Sequence, residues 1–424
     1  MSSTESITTT TTIPPPKPPN QPSLKSLRSA IPPHCFTSSL PRSTLYLARD
    51  LIYTLALLHL TTYIPSLSSP TLRILSWTAY TFIQGLVGTG LWILAHECGH
   101  DAFSPYPRVN DAVGWFLHSV LLVPYFSWKI IHGRHHRYTG HMTRDTAFVP
   151  LTEDEFMDRN GLKGMSDFYH LVEETPLASA VGYLVAHQVV AWPMYLLFYV
   201  SGGRESLDRS SGDGDGDGVG KGEGDGKGGE KAKSHSHFNP SSGLFAKSQW
   251  LHVILSDLGL IAMLSFLAYA GTKVGWTRLG LLYGVPYLWV HHWLVAITYL
   301  HHTHPSIPHY SPSKWSFVNG ALCTVDRHYG LIGHHFFHEI IDYHVVHHLF
   351  PKIPFYHVKE ATEAVMPLLG DRYVSSKDEG YVRGFVRTFG DSWFVKEKFV
   401  EQQICSKTYG RKPAFISFKS PPLS

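Results

Sequence analysis

LRILSWTAYTFIQGLVGTGLWILAHECGH, residues 72–100, is the stretch whose reading decides the fold. Leu72–Ala95 is nearly free of charge and long enough to cross a bilayer as a helix. His96 and His100 follow at i and i+4, so two imidazoles leave one helix face where the apolar run ends. Ionisable groups at such a boundary need a partner, and metal coordination supplies one.

Two further clusters repeat the pattern: His132-Gly-Arg-His135-His136 and His344-Val-Val-His347-His348. Adjacent residues differ by about 100° around a helix. The paired histidines of each cluster can therefore face different ions, and HxxHH reads as a bridge between two metal sites. Eight imidazoles are too many for one zinc and suit a pair of transition-metal ions. His302 follows another apolar run and offers a ninth ligand, with His301, His304 and His338 as runners-up. His118, His141, His187, His252, His291 and His292 read as packing groups. Asp145 and Asp342 are placed to accept the second N–H of a ligating imidazole, and Glu97 and Glu339 offer the same service.

The whole-chain averages look soluble: 43% hydrophobic residues, mean hydropathy −0.07 and net charge +3. Polar tails and a charged insert dilute strongly apolar stretches at Leu51–Leu67, Leu72–Ala95, Leu177–Val200, Val253–Gly271 and Leu279–Leu300. The expected fold is an all-α polytopic membrane protein. About four transmembrane helices form two hairpins, with interfacial helices and a cytosolic metal-binding cap carrying the histidine boxes. Trp92, Trp250, Trp276 and Tyr299 near segment ends fit interfacial belts. Cys35, Cys98, Cys323 and Cys405 show no paired spacing and read as reduced thiols. No nucleic-acid partner is expected.

Along the chain, residues 1–24 form a Ser/Thr/Pro-rich tail without an apolar signal segment, expected to be disordered and cytosolic. Residues 51–95 make the first hairpin, turning at Ser66–Pro70, and Arg42 and Arg49 mark its cytosolic start. Ala112–Val123 is too short to span and is expected at the interface. Leu177–Val200 is interrupted by His187, Gln188 and Pro193 and is expected to be interfacial or broken. Boxes two and three must share one side, so residues 253–271 and 279–300 make the second hairpin. Residues 201–247 read as a flexible Gly/Asp/Lys-rich insert in the cytosol, with His235 and His237 facing solvent. Asp213–Asp217 lacks the bidentate glutamate of a calcium loop. Residues 25–375 form the main domain and 376–424 a cytosolic C-terminal tail.

GLVGTGLWILAHECGHDAFSPY (85–106) and LLVPYFSWKIIHGRHHRYTGHMTRD (121–145) resemble the membrane fatty-acid desaturases of the methyl-end group. HTHPSIPHY (302–310), GALCTVDRHYG (320–330), FFHEIIDYHVVHHLFPKIPFYHVKEAT (336–362) and IPPHCF (31–36) match the same group, and TGHMTRD is similar to fungal members. The resemblance spans about residues 25–375 without the insert. It implies two non-haem irons on His96, His100, His132, His135, His136, His344, His347 and His348, with His302 at the position of an extra ligand. It further implies molecular oxygen as oxidant, a narrow bent acyl tunnel and the endoplasmic-reticulum membrane as location. Electrons would come from cytochrome b5 and its NADH-dependent reductase. No HPGG haem-binding string occurs in the chain, so the cytochrome is a separate partner. Tyr343 stands where family members often have threonine, which bears on the substrate pocket.

An unactivated methylene has no acidic proton and no leaving group, so acid–base or nucleophilic side chains cannot attack it. Metal and oxygen chemistry is what such a substrate requires. The implied reaction is insertion of a cis double bond into a phospholipid- or CoA-linked acyl chain. Glu97 within HECGH favours Δ12 (oleoyl to linoleoyl), while HHLFPKIP favours ω3 action on linoleoyl; Δ12 is the first choice, with a bifunctional chain or a hydroxylase as alternatives. Lys129, Arg134, Arg137 and Arg144 could face a lipid phosphate or the acidic cytochrome. A metal transporter would instead carry its ligands near the bilayer midplane.

Overall fold

The computed structural model describes residues 22–161, 163–164, 186–207, 235–392 and 394–395. Residues 177–185 of one apolar stretch and the Asp213–Asp217 string lie outside the described residues, as does the side chain of His187.

The first hairpin begins earlier than the apolar pattern suggests. Helix Leu40–Leu60 starts at Ser39, whose hydroxyl accepts the Arg42 N–H, and Pro41 sits in the first turn, where it lacks only an orphan donor. A 3-10 turn, Thr61–Ser66, closes it, and Ser69 then caps helix Pro70–Gly99 by accepting from Leu72 N–H. Pro70–Gly99 is the hub of the molecule: Val285–His302, Pro107–Val120 and Leu40–Leu60 all pack on it. The approach is close because the hub carries small residues. A Cβ at Gly85 would collide with Trp289, and one at Gly88 would meet Val290 at 3.0 Å.

Among the described residues two helices, Pro70–Gly99 and Lys247–Val274, are long and apolar enough to cross a membrane. Leu251, Leu255, Leu258, Ile261, Leu264 and Phe266 remain exposed on the second, an apolar band that water would not tolerate cheaply. Gly275, at φ +87°, ends the helix after Val274. Helical structure then runs through Trp276–Leu279 and the π-turn Gly280–Gly284 into Val285–His302. Among the described residues the only sheet is a parallel pairing of Asp326–Arg327 with Ser375–Ser376.

The edges of the insert and of the C-terminal tail are built into the fold. Leu244 and Phe245 pack with Ile131, Tyr199 and Val253, and Gly203 N–H donates to Asp145 O at 2.8 Å. His237, expected in solvent, is fully buried beside Tyr195, with its Nδ1 3.2 Å from Leu196 O. Past residue 375, helix Tyr381–Asp391 packs on Val285–His302, where Tyr381 Oη meets His292 Nε2 at 2.7 Å. Tyr381 and Val382 could not announce this, because the helix is short and its partner lies about 90 residues upstream.

Candidate metal centre

Four chain segments deliver the imidazoles to one point. His96 occupies the last turn of Pro70–Gly99, and His100 is its C-cap. Helix Tyr125–Tyr138 supplies His132, His135 and His136, the short helix His344–Leu349 supplies the third box, and His302 ends Val285–His302. Val345, Val346 and Leu349 anchor the third-box helix in a core shared with Leu27, Ile31, Val358 and Val365.

Donor atoms of His96, His100, His132, His136 and His347 lie within 4.8 Å of one another, and those of His135, His302 and His348 form a second such group. His344 joins the second group through its Nε2, 3.1 Å from His348 Nε2. The two groups touch where the rings of His136 and His348 stack at 4.2 Å.

Nε2 atoms face each other at 3.3 Å in His96–His100, 3.0 Å in His132–His136 and 3.3 Å in His135–His302. Ligands about 2.1 Å from a common ion sit roughly 3.0–3.4 Å apart, the edge of a tetrahedron or octahedron. His347 is fully buried, and neither of its ring nitrogens has a hydrogen-bond partner. Leaving such a group unsatisfied costs about 1–3 kcal/mol, which a metal bond removes. Burial first, and neighbouring imidazoles second, push His132, His136, His344, His347 and His348 well below the usual histidine range. They are thus neutral, with lone pairs free for coordination. The donor set fits a pair of transition-metal ions.

The orienting contacts differ from residue to residue. Asp145 Oδ1 accepts from His135 Nδ1 at 2.7 Å, and is itself fixed by Ala147 N–H at 2.9 Å. Thr139 Oγ1 lies 3.0 Å from His348 Nδ1 and donates to His135 O at 2.6 Å. Sequence reasoning missed Thr139, although its place one turn beyond His135 was the available signal. Glu97, fully buried, accepts from Phe355 N–H at 3.1 Å and sits 3.4 Å from His96 Nδ1.

Asp342 does not reach a ligating imidazole: its Oδ1 accepts from His328 Nδ1 at 2.6 Å, because the turn before the third box aims it outward. Glu339 likewise pairs with His334, at 2.6 Å. The runner-up ligands are occupied elsewhere. His301 contacts the Ile297 and Ile341 carbonyls, His338 meets Asp50 at 2.9 Å, and His304 Nδ1 accepts Ser306 N–H. Lys129 pairs with Asp111 at 2.8 Å, and Arg134 donates to Leu244 O at 2.6 Å, so both tie box two to its own scaffold.

A cavity of about 160 Å³ opens directly onto the imidazoles. Trp92, Trp128, Trp192, Tyr195, Thr298 and Tyr299 form walls, and His96, His132, His135, His302, His344 and His348 form the chemical end. Trp128 stacks on His132 at 4.4 Å, so the aromatic wall also orients this imidazole. Tyr343 is not among the lining residues; its ring lies under Lys377 Nζ at 4.3 Å.

A helical scaffold with two helices of bilayer length, nine clustered imidazoles able to hold metal and an apolar cavity at their edge is compatible with metal chemistry on an apolar substrate. The chain belongs to the fatty acid desaturase family, whose family model matches residues 75–208 and 235–378. It is 43% identical over 371 residues to an oleate hydroxylase of Claviceps purpurea, covering 86% of this chain and 74% of that protein. It is 39% identical over 380 residues to a Δ(12) fatty acid desaturase of Mortierella alpina, covering 88% of each. With an omega-6 fatty acid desaturase, endoplasmic reticulum, of Brassica juncea it shares 40% identity over 348 residues, 82% of this chain and 81% of that one.

Proposed function

We propose that the chain is a diiron desaturase that introduces a cis double bond at Δ12 of an oleoyl chain, yielding linoleoyl. The observation that carries this is the apolar cavity whose inner end is made of imidazoles from both groups. His96, His100, His132, His136 and His347 would hold one iron, and His135, His302, His344 and His348 the other. The iron pair supplies the one-electron chemistry with dioxygen that an unactivated methylene requires.

The protein's own part is positioning and exclusion. Trp92, Trp128 and Trp192 give the acyl chain an apolar sleeve and keep bulk water from the centre. Thr298 and His302, one turn apart on the same helix, fix how deep a methylene sits relative to the ligands. Overall, two substrate hydrogens, two external electrons and two protons reduce dioxygen to two waters. Cytochrome b5 with its NADH-dependent reductase delivers the electrons, and the substrate is a phospholipid- or CoA-linked oleoyl group. The molecule spans the endoplasmic-reticulum membrane with four helices, boxes facing the cytosol. Support for this comes from the exposed apolar residues of Leu40–Leu60 and Trp250–Val274, and from the ligands' place at helix ends.

The similarity to an oleate hydroxylase gives a second reading, in which the same centre leaves a hydroxyl group. Expression in a yeast that makes only monounsaturated lipids separates the readings by fatty-acid profile. Linoleate supports the Δ12 assignment, and α-linolenate after linoleate feeding adds ω3 action. Hydroxylated oleate transfers the chain to the second reading. No new product from a membrane-inserted, iron-loaded chain overturns both.

A further inference from the structure

Away from the catalytic groups, His34, Cys35, His357 and Glu360 bring one nitrogen, one sulfur, one nitrogen and one carboxylate oxygen within 4.8 Å of each other. We propose that these four residues form a zinc site that clamps the N-terminal segment onto the helix following the third histidine box. His34 Nε2 already lies 2.8 Å from Glu360 Oε2 and 3.7 Å from Cys35 Sγ. The rings of His34 and His357 meet edge-on at 5.4 Å. Ligands of a tetrahedral zinc sit about 3.3–3.9 Å apart, so closure needs side-chain movements of only about 1 Å.

The backbone on both sides is already fixed. The 3-10 turn Pro33–Phe36 holds His34 and Cys35, and Leu27, Ile31 and Cys35 pack with Val358, Ala361 and Val365. Ser39 N–H donates to Tyr356 Oη at 2.7 Å on the other flank. His357 and Glu360 are i and i+3 at the start of helix Val358–Leu369, hence on one face. Cys98 and Cys323 are also buried, but among the described residues neither belongs to such a donor group. Thiolate and carboxylate together balance the two charges of zinc. Zinc binding at Cys35 would displace the thiol proton to solvent.

The test is metal analysis of the purified full chain in detergent, grown with zinc and iron, alongside zinc-edge X-ray absorption. The expected result is stoichiometric zinc with one sulfur ligand at about 2.3 Å. Cys35→Ser should remove the sulfur signal, and Cys35→Ser with His357→Ala should remove the zinc while leaving iron unchanged. Retained iron shows that the variants are folded, and Glu360→Gln provides a milder one that should weaken zinc retention. Zinc-free protein after zinc supplementation overturns the proposal. So does zinc with nitrogen ligands alone that persists in the double variant, since that zinc would sit in the imidazole centre. Neither readout depends on which fatty acid the enzyme makes.

Discussion

The two imidazole groups are neighbours, yet they are held in different ways. In the group of His135, His302, His344 and His348, hydrogen bonds orient the rings, chiefly from Asp145 and Thr139. In the group of His96, His100, His132, His136 and His347, aromatic surfaces do most of that work. Trp92 stacks on His96 and Trp128 on His132, while His347 has no hydrogen bond at either nitrogen. One half is polar and directional; the other is shaped by packing. The packed half shares its tryptophans with the cavity, so imidazole orientation and cavity shape are coupled there. In the polar half a single proton acceptor, Asp145, can be changed without touching the cavity wall.

This contrast can be broken or sharpened by substitution. Removing a ligand from either half, by His135→Ala or His347→Ala, should lower desaturation by more than about 100-fold, with iron content falling in the purified protein. Asp145→Asn should cost about 10–100-fold in iron affinity, read by chelator competition. Oδ1 accepts from His135 and Ala147 and Oδ2 from Gly140, so an amide must set its NH2 against one of these donors and loses the charge that orients His135. Asp342→Asn should leave iron retention unchanged, since its partner is His328. Trp128→Phe keeps an aromatic face but shrinks it. The expectation is a loss of roughly tenfold or less in turnover with a change in chain-length preference, measured on oleoyl and palmitoleoyl substrates.

The smallest effect concerns pH. Burial raises the Asp326 carboxyl from its ordinary 3.8 to about 7, against the opposing hydrogen bonds from Tyr373 Oη and Val345 N–H. The folded state therefore binds this proton more tightly than the unfolded chain. Its stabilising contribution is complete below pH of about 4 and is lost as pH rises through about 7. Thermal melts of the detergent-solubilised protein should show that slope, and Asp326→Asn should flatten it.

Much of the site is legible in the sequence because helical spacing alone places His96 with His100 and His132 with His136. His302 could be suggested from its place after an apolar run, but its company with His135 and His348 is tertiary. Asp145 and Asp342 look alike as sequence neighbours of boxes; only the turns that aim them tell them apart. The cavity walls were harder, since Trp92 and Trp192 come from segments 100 residues apart and any apolar helix carries such residues. The apolar run marks the first hairpin, yet Leu40–Leu60 starts before that run because Ser39 and Pro41 begin a helix ahead of the hydrophobic pattern. The charged insert hid His237 and Leu244, whose burial depends on Tyr195 and Ile131 and not on their polar surroundings in the chain.

Mössbauer spectroscopy with iron-edge X-ray absorption, on chain purified from iron-57-grown cells, tests the central claim most directly. The account predicts two irons per chain in equal amounts, both with nitrogen and oxygen ligands, and selective loss of one on His302→Ala. A single iron per chain would contradict it, as would sulfur ligation or an unchanged spectrum in that variant.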